Sequence, residues 1–224
     1  QYGDLAEKCY PLHPYTLLML PKVSELVAQN ERTIFTFLSS TERSSVPYFL
    51  RTDDSEFPLI EPDYIYDYFE TLFKGEPYGS NIKQQWQIAT SALSKLKEFD
   101  NLLAEKIIKT IILIYCINDF ETIPPSWDII CDIYSTHYTW AEIESAKQVL
   151  KNCHLLIELL YKPYVRITAG SGHNALEIIQ QEKYRIENGF EPKQILNELV
   201  SVKYLYPVQY NDENEIVRYY EFRF

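Results

Sequence analysis

Apolar residues recur at intervals of three and four along most of this chain, the spacing of one face of an α-helix. From Pro14 to Ala28 the stripe is Leu17, Leu18, Leu20, Val23, Leu26 and Val27; Pro11 and Pro14 mark its start, and Pro21 predicts a kink. A second, short helix is predicted from Asn30, whose side chain can cap the amides of Arg32 and Thr33, through Ile34, Phe35, Phe37 and Leu38 to Ser39-Ser40. Ser44 to Pro62 holds three prolines and an acidic cluster and reads as a loop. Pro62 then stands where a first-turn proline belongs, ahead of Tyr64, Ile65, Tyr68, Phe69, Leu72 and Phe73, and Gly75 ends that helix.

Asn81 to Glu98 places Trp86, Ile88, Ala89, Ala92, Leu93 and Leu96 on one face. After a break at Asp100-Asn101, Leu102 to Ile117 becomes apolar nearly all round, the mark of a buried central helix. Three long helices joined by short connections predict antiparallel packing into a bundle. Beyond Pro124-Pro125 the pattern changes. Ser126 to Tyr134 predicts a short helix, and Thr139-Trp140-Ala141-Glu142 resembles a cap and acidic first turn leading a helix to Asn152. Leu155 to Leu160 and Tyr164 to Thr168 are strand-like runs around the turn Tyr161-Lys162-Pro163.

Helix, helix, hairpin is the order of a winged helix-turn-helix. Two further helices are predicted at Asn174 to Ile186 and Pro192 to Val200, then strands at Lys203 to Pro207 and Glu215 to Phe224 around a turn at Tyr210-Asn211-Asp212-Glu213. The expected class is therefore mainly α, a helical bundle at 1–122 followed at 123–224 by a winged-helix-like region with short hairpins.

With 46% hydrophobic residues, the 224-residue chain can bury a sizeable core. Its formal charge of −11, from 21 basic and 32 acidic residues, repels a phosphate backbone as a whole, so a nucleic-acid contact would need a local basic patch. Cys9, Cys116, Cys131 and Cys153 are widely spaced, and three lie in apolar helical surroundings, which predicts reduced thiols and a cytoplasmic location. The most apolar run, Ile111 to Ile117, is far shorter than the about 20 residues that cross a bilayer. A first residue Gln1 and an aromatic last stretch, Ile216 to Phe224, predict that both ends are cuts within a longer chain.

A phosphate-binding loop needs glycines ending in Gly-Lys-Ser/Thr, and the glycine pair Gly170-Ser171-Gly172 has no such lysine; it reads as a turn after a wing strand. The run Ile111 to Asp119 imitates a strand ending in a magnesium-binding Asp but reads as a helix terminus. Cys131, His137, Cys153 and His154 have only loose spacings for zinc, so no metal ligand is expected, and no catalytic residue is assigned. Asp53-Asp54 and Glu142-Glu144 suit solvated or first-turn positions. In the winged-helix region the DNA-contact candidates Lys147, Lys151, Lys162 and Arg166 stand against Glu142, Glu144 and Glu158, a balance of 4 − 3 = +1. Use of that region for protein contact, as a spacer or for DNA stays open.

The residues Tyr10-Pro11-Leu12-His13-Pro14, then Leu18 to Pro21, then Gln29 to Leu38 resemble the stretch that follows the nucleotide-binding core in large bacterial AAA+-like P-loop ATPases, including phage-defence systems of the BREX type. Tyr164-Val165-Arg166-Ile167 leading to Gly170-Ser171, and Tyr210 to Glu213 leading to Arg218-Tyr219-Tyr220, agree with it. The resemblance implies a lid-like bundle plus a winged helix, with the ATP site and its Mg upstream and no cofactor held here. It further implies coupling of nucleotide state to the upstream ATPase domain of the same chain, to protein partners or a homo-oligomer, or to DNA. A lid arginine can approach a γ-phosphate, which makes Arg32 the nucleotide-sensing candidate; a cap or salt bridge within the lid is the alternative role. His13, between two prolines, is expected to be a buried, hydrogen-bonded turn residue.

Overall fold

The computed structural model describes residues 8–27, 34–169, 183, 196 and 204–221. Packing divides the chain into two units, Gln1–Gly172 and His173–Phe224. Segment 123–169, grouped by the sequence pattern with the C-terminal region, lies within the first unit.

The first unit is mainly helical: α1 Pro14–Leu26, α2 Ile34–Ser39, α3 Val46–Thr52, α4 Pro62–Gly75, α5 Asn81–Leu96, α6 Leu102–Ile117, α7 Trp127–Tyr134 and α8 Trp140–Asn152, closed by strands β1 Leu156–Glu158 and β2 Val165–Ile167. The helix ends follow local chemistry. Ser80, Asn101 and Ser126 each accept a hydrogen bond from a first-turn amide. Thr139 and Glu142 cap each other reciprocally at the head of α8, as their spacing predicts. Helix α6 stops at Asn118, whose φ of 56° is the left-handed conformation asparagine tolerates; Asp119 behind it bonds Lys22 at 2.6 Å. Helix α1 continues through Pro21.

One expectation fails between residues 44 and 62, where the structure has helix α3 instead of continuous loop. Pro47 sits in its first turn, where a proline costs no hydrogen bond, and Ser45 Oγ accepts from the Tyr48 amide. Two of the three prolines there, Pro47 and Pro62, stand at helix starts, and Pro58 lies between the two helices.

Helix α6 is the axis of the unit. Ile107, Ile108, Ile111, Ile112, Leu113 and Ile114 are buried, and α1, α4, α5, α7, α8 and β2 all pack against it. Each such isoleucine contributes on the order of 2 kcal/mol by leaving water. Aromatic rings fill the rest of the core, with Phe37 set edge-on to Tyr68, and Tyr68 edge-on to Phe69. Asn81 Nδ2 donates to the carbonyls of Tyr115 and Cys116, fastening the start of α5 to the end of α6.

The strands β1 and β2 form an antiparallel hairpin with Leu156 opposite Ile167. Ser126, just ahead of α7, makes an antiparallel bridge to Tyr164, and the Val165 amide donates to the Pro125 carbonyl at 2.7 Å. The second hairpin strand thus has a neighbour on each side. Tyr115 Oη donates to the Val165 carbonyl, joining the hairpin to the C-terminal end of α6.

In the second unit, β3 Tyr204–Leu205 pairs antiparallel with β4 Tyr220–Glu221, and α9 Val208–Asn214 lies between them in sequence. The sequence predicts a turn at Tyr210 to Glu213, whereas the backbone there is helical. Pro207 stands immediately ahead of the first turn, and the i to i+4 bonds Gln209–Glu213 and Tyr210–Asn214 support it. The helices expected at Asn174 to Ile186 and Pro192 to Val200 lie outside the described residues, apart from the helical residues Lys183 and Leu196.

Candidate functional site

Two places in the first unit gather charged side chains. The first lies where α4, α6 and the α7–α8 connection meet. Glu61 immediately precedes Pro62, and its side chain is almost wholly buried. One of its oxygens accepts from Lys106 Nζ at 2.7 Å, and the other faces His137 Nδ1 at 2.8 Å. Lys106 also approaches Asp63 at 3.8 Å, while one turn further along the seam Lys109 pairs with Asp67 at 2.7 Å. His137 Nε2 lies 3.1 Å from the Phe57 carbonyl. Beneath the cluster Tyr134 and Thr110 share a hydrogen bond of 2.7 Å between buried hydroxyls.

Burial and geometry set the protonation of these groups. Lys106 is nearer to Glu61 than to Asp63, so it is committed mainly to Glu61. Burial pushes the Asp63 carboxyl up to about 7 against the attraction of Lys106, and its Oδ1 is buried with no hydrogen-bond partner. For Lys106 burial opposes the charge, but Asp63 and Glu61 outweigh it and hold the ammonium above its usual range. Burial likewise opposes a charge on His137; the Glu61 carboxylate and the Phe57 carbonyl overcome it and raise its pKa. His13 behaves oppositely. Burial lowers its pKa, and its Nδ1 accepts from the Tyr15 amide, so it is the buried, hydrogen-bonded residue expected at the head of α1.

Sequence reasoning weighed His137 only as a zinc ligand and missed Glu61, Asp63 and Lys106. A signal was present: Lys106 and Lys109 interrupt the most apolar helix of the chain, and charges that enter a core arrive with partners.

The second place is the pair α7–α8 with its hairpin, where the DNA-contact candidates fall. Lys147 and Lys151 both reach Glu158 Oε1, at 3.1 and 2.9 Å. The Lys147 ammonium also lies 4.6 Å from the centre of the Trp127 ring. Lys162 stands over Tyr164 and Arg166 over Tyr115. The four cations therefore lie on one substructure, and each is engaged by an acceptor or ring of this chain. Its exposed surface mixes charged residues, Asp132, Glu142, Lys162 and Arg166 among them, with large apolar ones: Leu160 83% and Tyr161 97% accessible at the hairpin tip and Trp140 65% accessible at the head of α8.

Arg32 and the glycine pair Gly170–Gly172 lie outside the described residues. Cys116 and Cys131 are buried, Cys9 and Cys153 half-buried, and all four are free thiols. Among the described residues, no group of three or more His, Cys, Asp or Glu is arranged to hold a metal ion, and no helix is long and apolar enough to cross a membrane. Compared with known proteins, the chain matches no family model, no curated protein and no solved structure.

Proposed function

We propose that the chain is a non-catalytic module of a larger ATP-binding protein, a lid-like helical bundle carrying a winged helix that meets protein partners and relays nucleotide state to them. The observation that carries the winged-helix part is the bridge from Ser126 to Tyr164. It gives the order helix α6, bridged segment, helices α7 and α8, then a hairpin whose second strand lies between the first strand and the bridged segment, an order that supports the winged-helix reading. The ATPase context rests on the sequence resemblance alone.

Protein contact is favoured over DNA by how the cations are used. Glu158 occupies both Lys147 and Lys151, the chain carries −11 overall, and the hairpin tip exposes Leu160 and Tyr161 beside Lys162. Phosphate recognition uses free Lys and Arg, whereas exposed aromatic and aliphatic side chains are what protein interfaces bury.

Fluorescence anisotropy of a labelled DNA duplex, titrated with the 224-residue chain across a salt series, tests this reading. No saturable binding is expected below about 100 µM protein at physiological salt. Micromolar or tighter binding that weakens steeply with salt overturns the protein-contact reading in favour of a nucleic-acid-binding winged helix. The same chain should show no ATP turnover above a protein-free blank; turnover that Arg32→Ala abolishes overturns the non-catalytic assignment.

A further inference from the structure

The hydrogen-bond geometry at His137 fixes more than its position. Nδ1 faces a Glu61 carboxylate oxygen at 2.8 Å and Nε2 faces the Phe57 carbonyl at 3.1 Å. A carbonyl oxygen can only accept, and Glu61 already accepts from Lys106 through its other oxygen. Neutral imidazole carries one N–H and can satisfy one of these partners; imidazolium carries two and satisfies both.

Phe57 belongs to the segment between α3 and α4, residues 53–61. Its far end is fastened independently, since the Ile60 amide donates to the Pro11 carbonyl and the His13 amide donates to the Ile60 carbonyl. Ser55 bonds only back to Asp53, within the segment. Among the described residues, the His137 contact is the hydrogen bond that ties 54–59 to another element.

We propose that His137 is a proton-operated latch: as an imidazolium it clamps the 54–59 segment to the head of α4, and loss of its proton releases that segment. Charged groups face the ring from every side. Glu61 at the head of α4 and Asp53 at the end of α3 favour the proton, and Asp63 inside α4 adds to that side once ionised. Lys106 of α6 opposes it. His13, ahead of α1, is held neutral by burial, with Asp132 of α7 acting on it from the opposite direction.

The sign follows from the raised value. A histidine whose pKa is higher in the folded chain than its ordinary 6.5 contributes its full stabilisation below 6.5 and loses it as pH rises through the folded value. The latch is closed in mild acid and opens on the alkaline side. Asp63, with its carboxyl raised to about 7, gains its negative charge over the same range, and that charge favours the His137 proton and so works against the opening.

The test is an NMR titration of the 224-residue chain from pH 5.5 to 8.5. It follows the ring of His137 together with backbone relaxation of residues 54–57 and 59. His137 should titrate above 6.5 and His13 below it. The order parameter of the segment should fall from about 0.85 to below about 0.6 along the His137 curve. In His137→Gln, which has no titrating ring, the step should vanish. A His137 midpoint at or below 6.5 overturns the proposal, as does a segment whose relaxation is unchanged through that midpoint. Both outcomes are read on the wild-type chain, so they hold even where the variant folds poorly.

Discussion

Replacing Lys106 with Met removes the cation from a site where Glu61 is almost completely enclosed. The substitution keeps the length of the side chain, so the buried volume is largely preserved and the electrostatic change dominates. Removing one partner of a buried ion pair costs about 3–5 kcal/mol, because the remaining charge is left without compensation. Two features place this case at the lower end. Lys106 is one quarter exposed, so water reaches the site, and Glu61 keeps its contact with His137. A loss of about 3 kcal/mol is expected at neutral pH. With a denaturant slope of about 2 kcal/mol per molar urea, the midpoint falls by about 1.5 M. Trp86, Trp127 and Trp140 all belong to the first unit, so tryptophan fluorescence reads its unfolding. The double variant Lys106→Met with Glu61→Gln should recover more than half of the loss, since the orphaned charge is gone. A single-variant loss below about 1 kcal/mol with no recovery in the double variant would refute the reasoning, showing that solvent already screens the pair.

Phe69 is fully buried and packs against Phe37 and Tyr68, so Phe69→Ala should destabilise the first unit by about 3–5 kcal/mol in the same urea assay. Thr139→Ala removes one half of the reciprocal cap on α8 and should cost about 1 kcal/mol, read as a lower thermal midpoint with an otherwise unchanged far-ultraviolet spectrum.

Much of the helical framework was legible because periodicity and capping are local. Leu102 to Ile117 reads as a buried helix from its own residues, and Asn101 and Asn118 sit at its two ends as a cap and a left-handed terminus. Thr139 and Glu142 announce their capping box by spacing alone. The errors have equally local causes. Prolines between residues 44 and 62 look the same at a helix start as in a loop, and the run Tyr210-Asn211-Asp212-Glu213 suits a short helix as well as a turn.

The membership of the ionic cluster was hidden for a different reason. Glu61 and Lys106 are 45 positions apart, and Glu61 and His137 are 76 apart, so their meeting is decided by how α4, α6 and the α7–α8 connection pack. The place of Lys106 in the most apolar helix signals that it has a partner, but spacing along the chain does not say which. The neutralisation of Lys147 and Lys151 by Glu158 was hidden similarly, since a balance of local charge gives a sum without saying which groups touch.

Helix α6 carries Lys106 near one end and Tyr115 near the other, nine residues and therefore about 14 Å apart along its axis. Lys106 holds the Glu61 cluster, and the Tyr115 hydroxyl grips the hairpin through Val165. Neighbours surround the rod between them, leaving it no open side toward which to roll. The hairpin and the acid–base rungs are therefore fastened to opposite ends of one rod.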